Sequence, residues 1–66
     1  MDKFLIGQKL ISLRGERSRE DAANDMGISV SALQMYENGQ RMPKDEIKVR
    51  IARIYNSSVQ QIFFEK

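Results

Sequence analysis

The chain has 66 residues, of which 41% are hydrophobic and 30% charged, with a formal net charge of +2 and no Cys, His or Trp. That length is one domain near the lower limit for folding alone, and the missing residue types exclude disulfide staples and His/Cys metal frameworks. The balance is globular rather than disordered, and the N-terminal apolar run, Phe4-Leu5-Ile6, is too short for a signal-peptide core or a membrane span.

Charge is distributed in three blocks. Residues 1–19 hold five basic and two acidic groups, residues 20–40 hold four acidic and no basic ones, and residues 41–66 hold six basic and three acidic ones. Two basic flanks therefore surround a neutral-to-acidic middle. There is one Pro, at position 43, and no strand-like alternation of any length. A cytoplasmic, all-α chain is expected, read as one domain over residues 1–66.

Five helical segments are predicted. The first runs from about residue 3 to Arg14, with Ile6, Leu10 and Leu13 as its apolar stripe and Gly15 as its stop. The second starts at Ser18, where Ser-Arg-Glu-Asp has the spacing of a capping box. Ala22, Ala23 and Met26 form its inner face, and Gly27 ends it in the left-handed conformation that glycine adopts cheaply.

The third segment is capped by Ser29 and ends at Asn38-Gly39. At 100° per residue, Ala32, Leu33, Tyr36 and Glu37 share one side, whereas Val30, Ser31, Gln34, Met35 and Asn38 share the other. The fourth follows Pro43, with Asp45 and Glu46 in the first turn, where the helix dipole favours acids. Ile47, Ile51, Ile54 and Tyr55 line one face with Ala52 at its edge, Arg50 and Arg53 lie opposite, and Asn56 is placed just past the end. The last segment is short, with a second capping-box spacing at Ser58–Gln61 leading into Ile62-Phe63-Phe64.

The second and third segments flank Gly-Ile-Ser, a turn that permits only a sharp angle. This is the plan of a helix-turn-helix, spanning about residues 18–38, whose second helix enters the major groove. The stretches "IGQKLISLR", "SREDAANDMGISVSALQMYENGQRMP" and "IARIYNSSVQQIF" resemble the Cro/CI-type (XRE) family of prokaryotic and phage DNA-binding regulators over about residues 6–63.

The resemblance implies a compact five-helix bundle of the lambda-repressor-like kind that reads near-palindromic double-stranded DNA as a homodimer, most simply as a repressor. It places Val30, Ser31, Gln34 and Met35 on base edges. It places Arg19, Asn38, Arg41 and Lys44 at phosphates, and it pairs Arg14 with Glu37 in a structural ion pair. Four features depart from the family pattern: a shorter connection after Arg14, Ala22 for a usual Leu, Lys44 for a Ser or Thr cap, and Lys48 for an apolar residue.

Each residue also has a plainer role. The serines are caps first, and Leu33 and Tyr36 are core first. Val30 and Met35 are either base contacts or ordinary surface groups. Arg50 and Arg53 read as a solvated face. Phe63 is expected in the core, while Phe64, Ile62 and Val49 are candidates for a dimer contact.

An alternative reading is a protein-interaction module, such as an antitoxin or adaptor, that uses the apolar C-terminus. Catalysis is disfavoured, because no nucleophile–base pair is visible and Glu20, Asp21 and Asp25 lie along a solvated helix. No cofactor, metal, membrane contact or small-molecule effector is expected.

Overall fold

The computed structural model describes residues 2–65. It contains four α-helices, α1 (Lys3–Arg14), α2 (Arg19–Met26), α3 (Val30–Glu37) and α4 (Asp45–Ile54), and a closing π-helical turn, α5 (Gln60–Phe64). No strand occurs among the described residues. The bundle measures 27 × 22 × 22 Å, and no described helix is long and apolar enough to cross a membrane.

Local chemistry sets the helix ends. Asp2 caps α1 by accepting from the Phe4 N–H at 2.8 Å. Ser18, Ser29 and Ser58 accept from the N–H groups of Asp21, Ala32 and Gln61, each at 3.0 Å. Each such bond satisfies one of the donors a helix start leaves open, and is worth roughly 1 kcal/mol.

Neither the Ser18 nor the Ser58 motif forms the return bond of a capping box among the described residues, and the Gln61 side-chain oxygen instead accepts the Ser57 hydroxyl at 3.0 Å. Lys44 supplies no side-chain cap to α4, whose first turn holds Asp45 and Glu46.

Three helices end alike. After α2, the Gly27 N–H donates to Asn24 O and the Ile28 N–H to Ala23 O. The same pair of bonds follows α3 from Gly39 and Gln40, and follows α4 from Asn56 and Ser57. Gly27, Gly39 and Asn56 take the positive φ this closure needs, at 73°, 76° and 53°.

The core joins Ile6 and Leu10 of α1, Ala22, Ala23 and Met26 of α2, Leu33 and Tyr36 of α3, Ile51 and Ala52 of α4, and Tyr55, Ile62 and Phe63 beyond it. Gly7 lets α1 lie directly on the last turn of α3. A Cβ there would run into the Glu37 carbonyl oxygen and come within 2.9 Å of that of Tyr36.

Leu13 departs from the expected stripe and is 42% exposed. It lines a shallow cleft with Ser12, Ser57 and Gln61, polar neighbours that leave it outside the core.

The closing turn is fastened by Lys9, whose ammonium donates to the carbonyls of Gln61, Ile62 and Glu65 at 3.0, 3.4 and 2.7 Å. A cation suits this end, where unpaired carbonyls accumulate. Lys48 keeps its side chain largely covered, with its ammonium 5.6 Å from the Phe63 ring centre and 5.1 Å from that of Phe64. Its aliphatic stem thus occupies an apolar position while its charge faces two rings.

Candidate nucleic-acid interface

Three residues, Gly27-Ile28-Ser29, connect α2 to α3. The left-handed Gly27 reverses the chain within one residue, and Ser29 restarts a helix immediately. The result is two short helices at a fixed angle, with α3 carrying a buried face and an open one.

Leu33, Tyr36 and Glu37 are buried, and Ala32 is half-buried. On the other side Val30, Ser31, Gln34 and Asn38 are exposed and Met35 is half-buried. The open face carries no charge. After α3 the chain is pinned by the Gln40 and Arg41 N–H groups, which both donate to Met35 O, at 2.9 and 3.4 Å, and by the buried Pro43. Arg41 and Lys44 are exposed on this loop.

Glu37 is the polar centre of the molecule. Its side chain is fully buried and accepts from Arg14 Nε at 2.8 Å, Arg14 Nη2 at 3.3 Å and Arg19 Nε at 2.9 Å. Arg14 completes its own bonding through Nη1 to Arg17 O at 3.0 Å. The hydrogen bond from Arg14 to Glu37 raises the guanidinium pKa further; desolvation opposes this and the Glu37 charge adds to it. Nearby, Tyr55 is 9% exposed and its hydroxyl has no partner among the described residues. Burial raises that hydroxyl's pKa; the Glu37 charge adds to the rise, and Arg14 and Arg17 oppose it.

Arg19, expected at a phosphate, also has a partner inside the molecule that the sequence did not announce. It stands at the first position of α2, but its Nε is bound to Glu37, because the fully buried carboxylate is the strongest acceptor within its reach. Ile62 also departs from its expected place on a contact surface, being 2% exposed in the core. Successive residues of a helical turn point in different directions, so a wide inner face takes both Ile62 and Phe63 and turns Phe64 outward.

Phe64 is 55% and Val49 47% exposed, and Phe64 borders an open apolar groove with Leu5, Ile6 and Lys9. Arg50 and Arg53 are exposed on α4, and Glu20, Asp21 and Asp25 on α2.

The family model described as helix-turn-helix matches residues 10–62. The chain belongs to this family. It is a DNA-binding transcription regulator of the XRE type. Two solved structures resemble the regulator across nearly its whole length. The restriction-modification controller protein C.AhdI from Aeromonas hydrophila shares 26% identity with a TM-score of 0.85, covering 94% of this chain and 93% of that one. The clp gene regulator ClgR from C. glutamicum matches at 19% identity and a TM-score of 0.83, covering 94% and 82% respectively, a likeness of fold. No curated protein sequence matches the chain.

Sequence reasoning missed three contributors to this site: Gly7, the second partner of Glu37, and the Lys9 clasp. A glycine inside a helix costs about 1 kcal/mol against Ala, so Gly7 was a visible sign of close backbone approach. The other two depend on contacts between distant parts of the chain and left no local signal.

Proposed function

We propose that the regulator binds near-palindromic double-stranded DNA as a homodimer and acts as a repressor in the cytoplasm, with α3 in the major groove. Val30, Ser31, Gln34 and Met35 meet base edges. Arg41, Lys44, Asn38 and the outer edge of Arg19 meet phosphates. The observation that carries this reading is the neutral, open face of α3, seated on buried Leu33, Tyr36 and Glu37 and followed at once by exposed Arg41 and Lys44.

Neutral side chains can read bases, because amide groups pair with base edges and methyls pack on thymine, while flanking cations supply the phosphate contacts. Of the four residues assigned to base edges, Gln34 alone can pair bidentately with adenine, worth roughly 1–3 kcal/mol of discrimination. Val30 packs on thymine methyls, and Met35 adapts to the groove floor. With so few direct readers, DNA shape supplies a share of the specificity. In the dimer, two copies of α3 lie about one DNA turn (~34 Å) apart. Phe64 and Val49 provide apolar contact area for the second copy.

The test is selection of bound sites from a random duplex pool, followed by titration of Gln34→Ala and Arg41→Ala by fluorescence anisotropy. Gln34→Ala is expected to relax the preference at one base position in each half-site. Arg41→Ala is expected to weaken all sequences alike and lower the salt slope by about one. Uniform loss in both variants refutes the division of roles, and selected sites without two-fold symmetry refute the dimer.

A further inference from the structure

Arg14 and Arg19 share one carboxylate but use it differently. Arg14 is engaged through all three of its nitrogens: Nε and Nη2 donate to Glu37, and Nη1 donates to Arg17 O. Arg19 donates only through Nε, and its two terminal nitrogens have no acceptor among the described residues. The Arg19 side chain is one-third exposed, whereas that of Glu37 is fully buried. Two guanidiniums on one carboxylate leave one positive charge in excess, and of the two arginines Arg19 is the more accessible.

A guanidinium is a rigid plane, so its two edges move together. The inner edge of Arg19 holds the last residue of α3 at 2.9 Å, and its outer edge is open to an oxyanion. Anything that draws the outer edge into place also sets where the C-terminal end of α3 lies. We infer that Arg19 is a positioning residue that couples phosphate engagement by α2 to the seating of the base-reading helix through Glu37. This deepens the reading above and rests on it. The DNA backbone is then more than a sequence-independent source of affinity here. Holding a phosphate at Arg19 improves the register of Gln34 and its neighbours against the bases, and the coupling is reciprocal.

A lysine at position 19 separates the two roles. It keeps a cation able to reach a phosphate, but it lacks the two-edged plane and cannot bridge phosphate and Glu37. The experiment compares wild type, Arg19→Lys and Arg19→Gln on the selected site and on a random duplex, over a salt series, at temperatures well below each protein's own melting midpoint.

For Arg19→Lys, the expected result is a ratio of specific to random affinity reduced about five- to tenfold, a larger change than any in random-duplex affinity. Arg19→Gln is expected to lose the same ratio and about one unit of slope as well. A purely structural role would lower the melting midpoint without moving the ratio for the folded protein, and a pure phosphate contact would lower both affinities by one factor. Either outcome overturns the inference while leaving the base-reading assignment intact. If wild type selects no site at all, the reading of α3 falls, and this inference falls with it.

Discussion

Glu37→Gln isolates the energetic weight of the polar centre. The amide has nearly the shape of the carboxylate but removes the charge and turns an N–H donor toward an arginine donor. Three charge-assisted bonds are affected, from Arg14 Nε, Arg14 Nη2 and Arg19 Nε. Removing one partner of a buried ion pair costs roughly 3–5 kcal/mol. The arginine side chains are 17% and 33% exposed, so water recovers part of their loss, and the lower end applies, about 3 kcal/mol. A domain of this length has about 3–10 kcal/mol of stability in total. The variant should therefore lose at least about a third of its stability, with a midpoint lowered by about 12–24 °C. Thermal and urea unfolding followed by circular dichroism measure this directly, and the urea slope should stay near wild type if only the native state has changed. A loss below about 1 kcal/mol would mean that the cluster behaves as a surface ion pair, and would refute its role as the anchor of α3.

Gly7→Ala should destabilise by about 1–3 kcal/mol despite the better helix propensity of alanine, because α1 must lift off the Glu37 and Tyr36 carbonyls; urea unfolding at neutral pH checks it. Tyr55→Phe should cost little stability at neutral pH, since the hydroxyl has no partner among the described residues. The Tyr55 pKa is raised in the folded state, so its contribution is complete below about pH 10 and is lost as pH rises through the folded value. Wild type should accordingly lose more stability than Tyr55→Phe above that pH in paired urea titrations, and equal losses would refute the linkage. Phe64→Ser should shift a homodimer toward monomer in sedimentation velocity with little change in unfolding of the single chain, because that ring is mostly exposed.

Much of the architecture was legible because short-range chemistry wrote it. The Ser caps at 18, 29 and 58 and the turn residues Gly27, Gly39 and Asn56 each act within about five residues, and the helices start and stop where these residues require. The two faces of α3 were legible for the same reason: the helical period of about 3.6 residues gathers Leu33, Tyr36 and Glu37 on one side and Ser31, Gln34 and Asn38 on the other. The Arg14–Glu37 pair was legible only through resemblance, since its members lie 23 positions apart.

The sequence alone therefore determined the helices, their ends, the helix-turn-helix spacing and the open face of α3, all of which depend on backbone geometry repeating over a few residues. Tertiary structure decided the rest. It turned Leu13 outward and Ile62 inward, because a helix rich in apolar residues has several faces it could bury and only its neighbours select one. It brought Gly7 onto the end of α3, where the absence of a side chain matters only once another backbone is there. It also turned Arg19 toward Glu37, because a carboxylate that the fold has stripped of water draws the guanidinium within its reach.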